Sequence, residues 1–154
     1  MQFNLADEFA FAPFHSEEAA YRFVEQCVWP AGPVCPHCGG WQHVGPLRGH
    51  STRIGAYKCY ECRKPFTVKV GTLFESSNLP MHKWLRAILL TALRGKSLDA
   101  NELHHMLNVS PRTASYVLKR VRGESLAGLT SRLQRTAANE SVPSSTMQRH
   151  LELK

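Results

Sequence analysis

Apolar positions along the chain follow more than one rhythm. Ala20, Phe23, Val24 and Cys27 recur at i, i+3, i+4 and i+7, one face of a short helix. Ser16 stands before them as an N-cap, and Glu17 and Glu18 place acids in the first turn, at the positive helix end. Trp29-Pro30 stops this helix, and Pro30 to Pro33 turns the chain away. A helix over about residues 16–28 is predicted, with Cys27 on its packing face as a buried, inert thiol rather than a reactive one. Further on, Phe66, Val68 and Val70 alternate with Thr67 and Lys69, the period of a strand buried on one face. Ala56-Tyr57-Lys58 is a second strand candidate, and Gly45 to Gly55, with Pro46, Gly49, Ser51 and Thr52, reads as a loop.

The helical rhythm returns at Pro80, which suits a first helical turn. Met81, Trp84, Leu85, Ile88, Leu89 and Ala92 form a stripe, broken by Lys83, Arg86 and Arg94. Trp84 inside it reads as core, with base stacking as the alternative use of its ring. Ser97 is expected to cap a helix from Leu98 to about Leu107, with Asp99 and Glu102 near its positive end. Asn108 tolerates the left-handed conformation and suits a turn. Ser110 then caps a second helix with Pro111 at its first position. In that helix Ala114, Val117, Leu118 and Val121 face inward, Arg112, Tyr116 and Lys119 lie opposite, and Ser115 and Arg120 flank them. A short second helix with a basic outer face suits a helix–turn–helix unit, whose Arg reads guanine in the major groove. Arg112, Thr113, Ser115, Tyr116, Lys119 and Arg120 are its candidate DNA contacts. The same pattern also describes a helical hairpin with a solvated basic face. Past Gly123 the rhythm fades: Leu126 to Leu133 suits one more short helix, and Ala137 to Ser145 a flexible tail.

Composition narrows the class. The chain of 154 residues, 43% hydrophobic and 20% charged, suits one ordinary domain or two small ones. Its longest apolar stretch, Ala87 to Leu93, is far short of a membrane span. Its acidic start, with Asp7 and Glu8, lacks the basic region of a signal or transit peptide. A soluble, cytoplasmic protein is expected. The net charge of +7 is uneven: residues 1–34 carry one Arg against five acids, and residues 81–122 carry eight bases against two acids. A basic middle on a chain of pI about 9.4 suggests a polyanion partner, although a solvated basic face has the same composition.

Four of the five cysteines carry specific chemistry. Cys35, Cys38, Cys59 and Cys62 give C-x2-C-x20-C-x2-C. Two residues between thiols let a tight turn aim both sulfurs at one ion, and two such knuckles close a tetrahedron of four sulfurs around structural Zn²⁺. Gly39 and Gly40 give the backbone freedom that the exit from a knuckle needs. The alternatives are a redox CxxC, which calls for one reactive pair in a βαβ setting, and an iron–sulfur cluster. His37 and His43 are candidate competing ligands. Four thiolates leave no open coordination position, so the ion's role is structural rather than hydrolytic. Arg48, Arg53, Lys58, Arg63, Lys64 and Lys69 surround the ribbon. Arg63, Lys64 and Lys69 are candidate phosphate contacts.

The ordered motifs have a counterpart. Trp29-Pro30-Ala31-Gly32-Pro33-Val34-Cys35-Pro36-His37-Cys38-Gly39 is followed by Tyr57-Lys58-Cys59-Tyr60-Glu61-Cys62-Arg63-Lys64-Pro65-Phe66-Thr67-Val68. Gly71 to Ser77, Lys83-Trp84-Leu85, and Glu102-Leu103 through Arg122 complete the set. Over about residues 14–122 the chain resembles the N-terminal part of bacterial insertion-sequence transposases, which begin with a zinc ribbon and end in an RNase H-like nuclease domain. The resemblance implies zinc held by the four cysteines and recognition of transposon-end, double-stranded DNA. His104 stands where such helix–turn–helix units usually carry Ala, which implies looser or rearranged packing of the two helices. The nuclease carboxylates have no counterpart here: the only aspartates are Asp7 and Asp99, and the acids after Gly123 are Glu124, Glu140 and Glu152.

The expected architecture is small α+β. Residues 1–34 carry the first helix, 35–78 a zinc ribbon with a short antiparallel sheet, 79–123 an all-α helix–turn–helix unit, and 124–154 a partly disordered tail. The expected function is DNA binding as the recognition portion of a transposase, without catalysis, in the bacterial cytoplasm and away from membranes. A second copy of the chain or a separate nuclease subunit is the candidate protein partner. A stand-alone regulator and a protein-binding ribbon scaffold are the rival readings.

Overall fold

A computed structural model describes residues 11–123. The expected short helix at Leu126 to Leu133 and the tail lie outside the described residues. The elements run in the order α1 (Glu17–Val28), β1 (Val44–Pro46), β2 (Tyr57–Cys59), β3 (Pro65–Phe66), α2 (Met81–Arg94), α3 (Ala100–Leu107) and α4 (Pro111–Gly123). Short 3₁₀ turns at Ala12–Phe14 and Gly95–Ser97 precede α1 and α3.

Helix α1 starts where its cap predicts: the Ala19 N–H donates to Ser16 Oγ at 3.3 Å. Ala20, Phe23 and Val24 are buried, joined by Tyr21, and Cys27 packs half-buried against the same core. The three strands pair in the order β1-β2-β3, all antiparallel, with Val44 opposite Cys59 and Tyr57 opposite Phe66. The strand expected over Phe66 to Val70 stops at Phe66. Thr72 Oγ1 donates to the carbonyls of Val68 (3.2 Å) and Lys69 (2.7 Å), which turns the chain. Phe66 therefore serves the ribbon while Val68 enters the helical core, so the alternation joins two separate cores instead of marking one face. Strand β1 occupies the start of what reads as loop.

Helix α2 is buried on more sides than a single stripe requires: Met81, Trp84, Leu85, Ala87, Ile88, Leu89 and Leu90 are all buried, while Ala92 is exposed. It packs against α1, the Ala12–Phe14 turn, α3 and α4. Trp84 is core, and its indole N–H donates to Ser77 Oγ at 3.0 Å. The cap of α3 is Asp99 rather than Ser97, with the Glu102 N–H 2.7 Å from Asp99 Oδ1. Ser97 lies in the preceding turn, where its hydroxyl donates to the Arg94 carbonyl. Asn108 takes the left-handed conformation at φ 52°, and Ser110 Oγ accepts from the Thr113 N–H to start α4. His104 does not loosen this junction. Its Nδ1 lies 3.0 Å from the Val109 carbonyl across the turn, and Leu103, Leu107, Ala114 and Leu118 are buried around it.

One contact ties the start of α1 to the start of α2. Glu17, in the first turn of α1, also caps α2, whose own cap position is Pro80 and offers no side-chain acceptor. Its carboxylate accepts from the Met81 N–H at 2.8 Å, the His82 N–H at 3.2 Å and the His82 ring at 2.7 Å. Burial pushes the carboxyl pKa up, but the Met81 N–H and the His82 contacts outweigh it, and the net shift is downward. A depressed carboxyl pKa contributes stability above the ordinary carboxylate range and loses it as pH falls through the folded value. Glu17→Gln should cost about 1 kcal/mol in urea unfolding at pH 7, in the range of a lost N-cap. The gap to wild type should close as the wild-type carboxyl protonates. A gap that persists unchanged at acid pH would show that the charge does not contribute.

Candidate metal centre and nucleic-acid interface

The two knuckles fold alike, each closed on itself by backbone hydrogen bonds. In the first, Cys35 N–H donates to the Gly40 carbonyl at 2.8 Å and Gly39 N–H to the Cys35 carbonyl at 2.9 Å. In the second, Cys59 N–H donates to the Lys64 carbonyl at 3.1 Å. The residue after the second cysteine is left-handed in both, Gly39 at φ 76° and Arg63 at φ 63°. A glycine costs nothing there and an arginine is strained. Tyr60 N–H donates to the His43 carbonyl at 2.8 Å, which extends the β1–β2 pairing one residue beyond Val44 and Cys59.

All four sulfurs lie within 4.8 Å of one another, with Cys35–Cys62 and Cys38–Cys59 each at 3.6 Å. Zn–S bonds of about 2.3 Å in a regular tetrahedron separate the sulfurs by about 3.8 Å, and a disulfide would need about 2.05 Å. The set fits one structural zinc. Among the described residues it is the only group of three or more Cys, His, Asp or Glu side chains close enough to share an ion. His37 is not in it: its Nε2 is 3.3 Å from the Pro65 carbonyl.

Burial opposes ionisation of Cys35, but the N–H groups of Cys38 and His37 outweigh it and bring the thiol to about 6. At Cys38 the Gly40 N–H favours the thiolate, yet the neighbouring sulfurs, Cys59 first, push it up to about 12. Cys35 thus ionises readily, while Cys38 and Cys62 resist a further charge beside it. A divalent cation removes that repulsion, so uptake releases protons and weakens at acid pH.

The candidate DNA contacts divide. Arg112, Ser115 and Lys119 are exposed on α4. Thr113 is half-buried, with its hydroxyl 2.8 Å from Ser110 Oγ in the cap. Tyr116 is 44% exposed, but its ring meets Trp84 edge-on at 6.3 Å and its hydroxyl accepts from Arg120, which leaves it less free to read bases. Arg63 and Lys64 are exposed on the second knuckle. Lys69 is half-buried: its ammonium donates to the Ser77 carbonyl at 3.1 Å and lies over the Tyr21 ring, and burial lowers its pKa. Sequence periodicity does not reveal that the connector before α2 adjoins the start of α4. Ser76, Asn78 and Leu79 face Ser110, Arg112 and Tyr116 across an open groove of about 600 Å³.

Metal analysis should give about one zinc per chain, as a single closed four-thiolate site requires. Cys59→Ser should abolish it, while Cys27→Ser and His37→Ala should retain it. Loss of metal on changing His37 alone would reject the four-thiolate assignment.

Comparison with known proteins agrees with this geometry. Residues 15–65, from the start of α1 to β3, match the family described as the transposase zinc-ribbon domain. A protein of Halobacterium salinarum, described as an uncharacterized protein in transposable element ISH50, is 33% identical over 76 residues, 49% of this chain and 25% of that protein. The match thus spans about a quarter of the relative's length. No solved structure matches. Residues 15–65 are thus similar to a transposase zinc-ribbon domain, and the four clustered cysteines all lie within the matched segment.

Proposed function

We propose that the chain binds duplex DNA as the recognition part of a transposase, with α3 and α4 as a helix–turn–helix unit. The observation that carries this reading is the outer face of α4, which presents Arg112 and Lys119 to solvent on a helix with no acidic residue. The inner face is fully used in packing, so the outer cations have no structural duty. Arg112 lies in the first turn, the part of such a helix that meets base edges. Arg63 and Lys64, on a knuckle, suit phosphate contact. Transposon-end DNA is the proposed target, in keeping with the family of the ribbon. Lys69 is left out of this surface because its ammonium is spent on Ser77.

The proposal assigns strand cleavage and joining to residues outside this sequence. Two-metal chemistry needs converging carboxylates; among the described residues no carboxylate belongs to a cluster that could share an ion, and four of the acids have separate duties. Glu17 caps α2, Glu25 accepts from Tyr57, Asp99 caps α3, and Glu102 pairs with Arg94.

Arg112→Ala should cost about 1–3 kcal/mol on the preferred duplex and much less on random DNA. Arg63→Ala with Lys64→Ala should weaken both alike and lower the slope of log affinity against log salt by about one unit per lost phosphate contact. Anisotropy salt titrations with zinc content checked decide this. An unchanged specific-to-random ratio in Arg112→Ala, with a collapsed ratio in the ribbon variant, would reverse the roles. With Mg²⁺ or Mn²⁺, this chain alone should leave a supercoiled plasmid carrying the element's ends intact. Cleavage that copurifies with the protein and follows its mutations would refute that assignment.

A further inference from the structure

The ribbon sheet has two unlike faces. On the inner one, Tyr57 and Cys59 point toward Trp29 and Phe66, where Trp29 meets both Tyr57 and Phe66 edge-on at 5.7 Å. On the outer one, alternation places Lys58 and Tyr60 of the β2 strand line, and strand pairing sets Gly45 and Pro65 on either side of Lys58. Gly45 carries no side chain above the sheet. A Cβ added to Gly45 would lie 3.4 Å from Tyr60 Cε2, so the phenol ring lies against the glycine backbone. Lys58 Nζ sits 5.8 Å from the centre of that ring. Tyr60 is nevertheless 59% exposed, and Trp41, close before β1, is 66% exposed. The chain's two other tryptophans, Trp29 and Trp84, pack against core clusters.

We propose that this outer face is a stacking platform for unpaired DNA, with Tyr60 and Trp41 taking bases and Lys58, Arg63 and Lys64 lying along the phosphates. A ring laid on a flat sheet beside cations is the arrangement that binds single strands without reading sequence, because every base has a π face. Duplex bases are already stacked and offer no such face to it. Charge complementarity favours a nucleic acid over an apolar protein partner. Between residues 41 and 66 the bases are Arg48, Arg53, Lys58, Arg63 and Lys64, and the only acid is Glu61. Its carboxylate lies against Gly40 at the first knuckle. The platform shares Arg63 and Lys64 with the proposed duplex surface, but its rings, Tyr60 and Trp41, are not part of α4 and do not depend on base reading there.

The test uses the zinc-loaded full chain and a short labelled oligodeoxythymidine, with the duplex assayed on the same preparations. Tyr60→Ala and Trp41→Ala should each weaken oligonucleotide binding by about five- to a hundredfold, the range of one lost base stack. Tyr60→Phe should retain binding and Tyr60→Leu, which keeps bulk without the π face, should not. The oligonucleotide should quench tryptophan emission in the wild type and not in Trp41→Ala. Oligonucleotide binding that is unchanged in Tyr60→Ala and Tyr60→Leu, with zinc retained, would overturn the proposal. So would wild-type self-association without DNA that is lost in Trp41→Ala, since the patch would then be a protein interface. Loss of duplex binding alone would count against α4 and leave the platform standing.

Discussion

The convergence of four sulfurs on one point is the constraint on which the ribbon depends. Its three strands bury only Cys35, Cys59 and Phe66 fully, with Trp29, Val44, Tyr57, Cys62 and Val70 partly covering them. That cluster is too small to offset the entropy of ordering two knuckles and a long intervening loop, at about 1–2 kcal/mol per residue of backbone. Binding of a structural zinc contributes about 10–16 kcal/mol in comparable peptides. The ion thus stands in for a core, and the knuckle N–H groups aimed at the thiolates are the local structure that makes the exchange work.

The helical body is built differently. Trp84, Phe14, Phe74, Leu85, Ile88 and Leu103 belong to one continuous buried cluster that α1, α2, α3 and α4 share. Trp29 touches both clusters, and Tyr57 donates to Glu25 of α1 at 3.1 Å. The ribbon is therefore seated on α1, and α1 is fastened to α2 by the Glu17 carboxylate. In the proposed DNA complex this chain of contacts would fix the ribbon's cations relative to α4, so that two weak surfaces act on one duplex. The match of residues 15–65 to a single domain family fits the seating, since that segment holds α1 and the ribbon together.

Much of this was legible in residue order. Cap chemistry at Ser16 and Ser110, the left-handed Asn108 and the CxxC spacing all act within a few residues, so sequence carries them directly. The misreadings arise where contacts that periodicity does not encode decide a residue's role. Phe66, Val68 and Val70 alternate correctly for a strand, but two cores compete for them and Thr72 ends the strand. Ser97 and Asp99 both suit a cap, and the turn after Arg94 decides for Asp99. His104 looked too bulky for its place because its polar partner, the Val109 carbonyl, appears only once the turn is closed. The Glu17 cap on α2 joins residues too far apart in sequence for any periodicity to register.

The most direct test of the two-core account is amide hydrogen exchange on the intact chain, zinc-loaded and then chelated. The account predicts that protection at Cys35, Gly39, Cys59 and Tyr60 disappears on chelation while Leu85, Ile88, Leu103 and Val117 keep theirs. If both sets lose protection together, or if the ribbon amides stay protected without metal, the ion is not the ribbon's substitute for a core and the account is wrong.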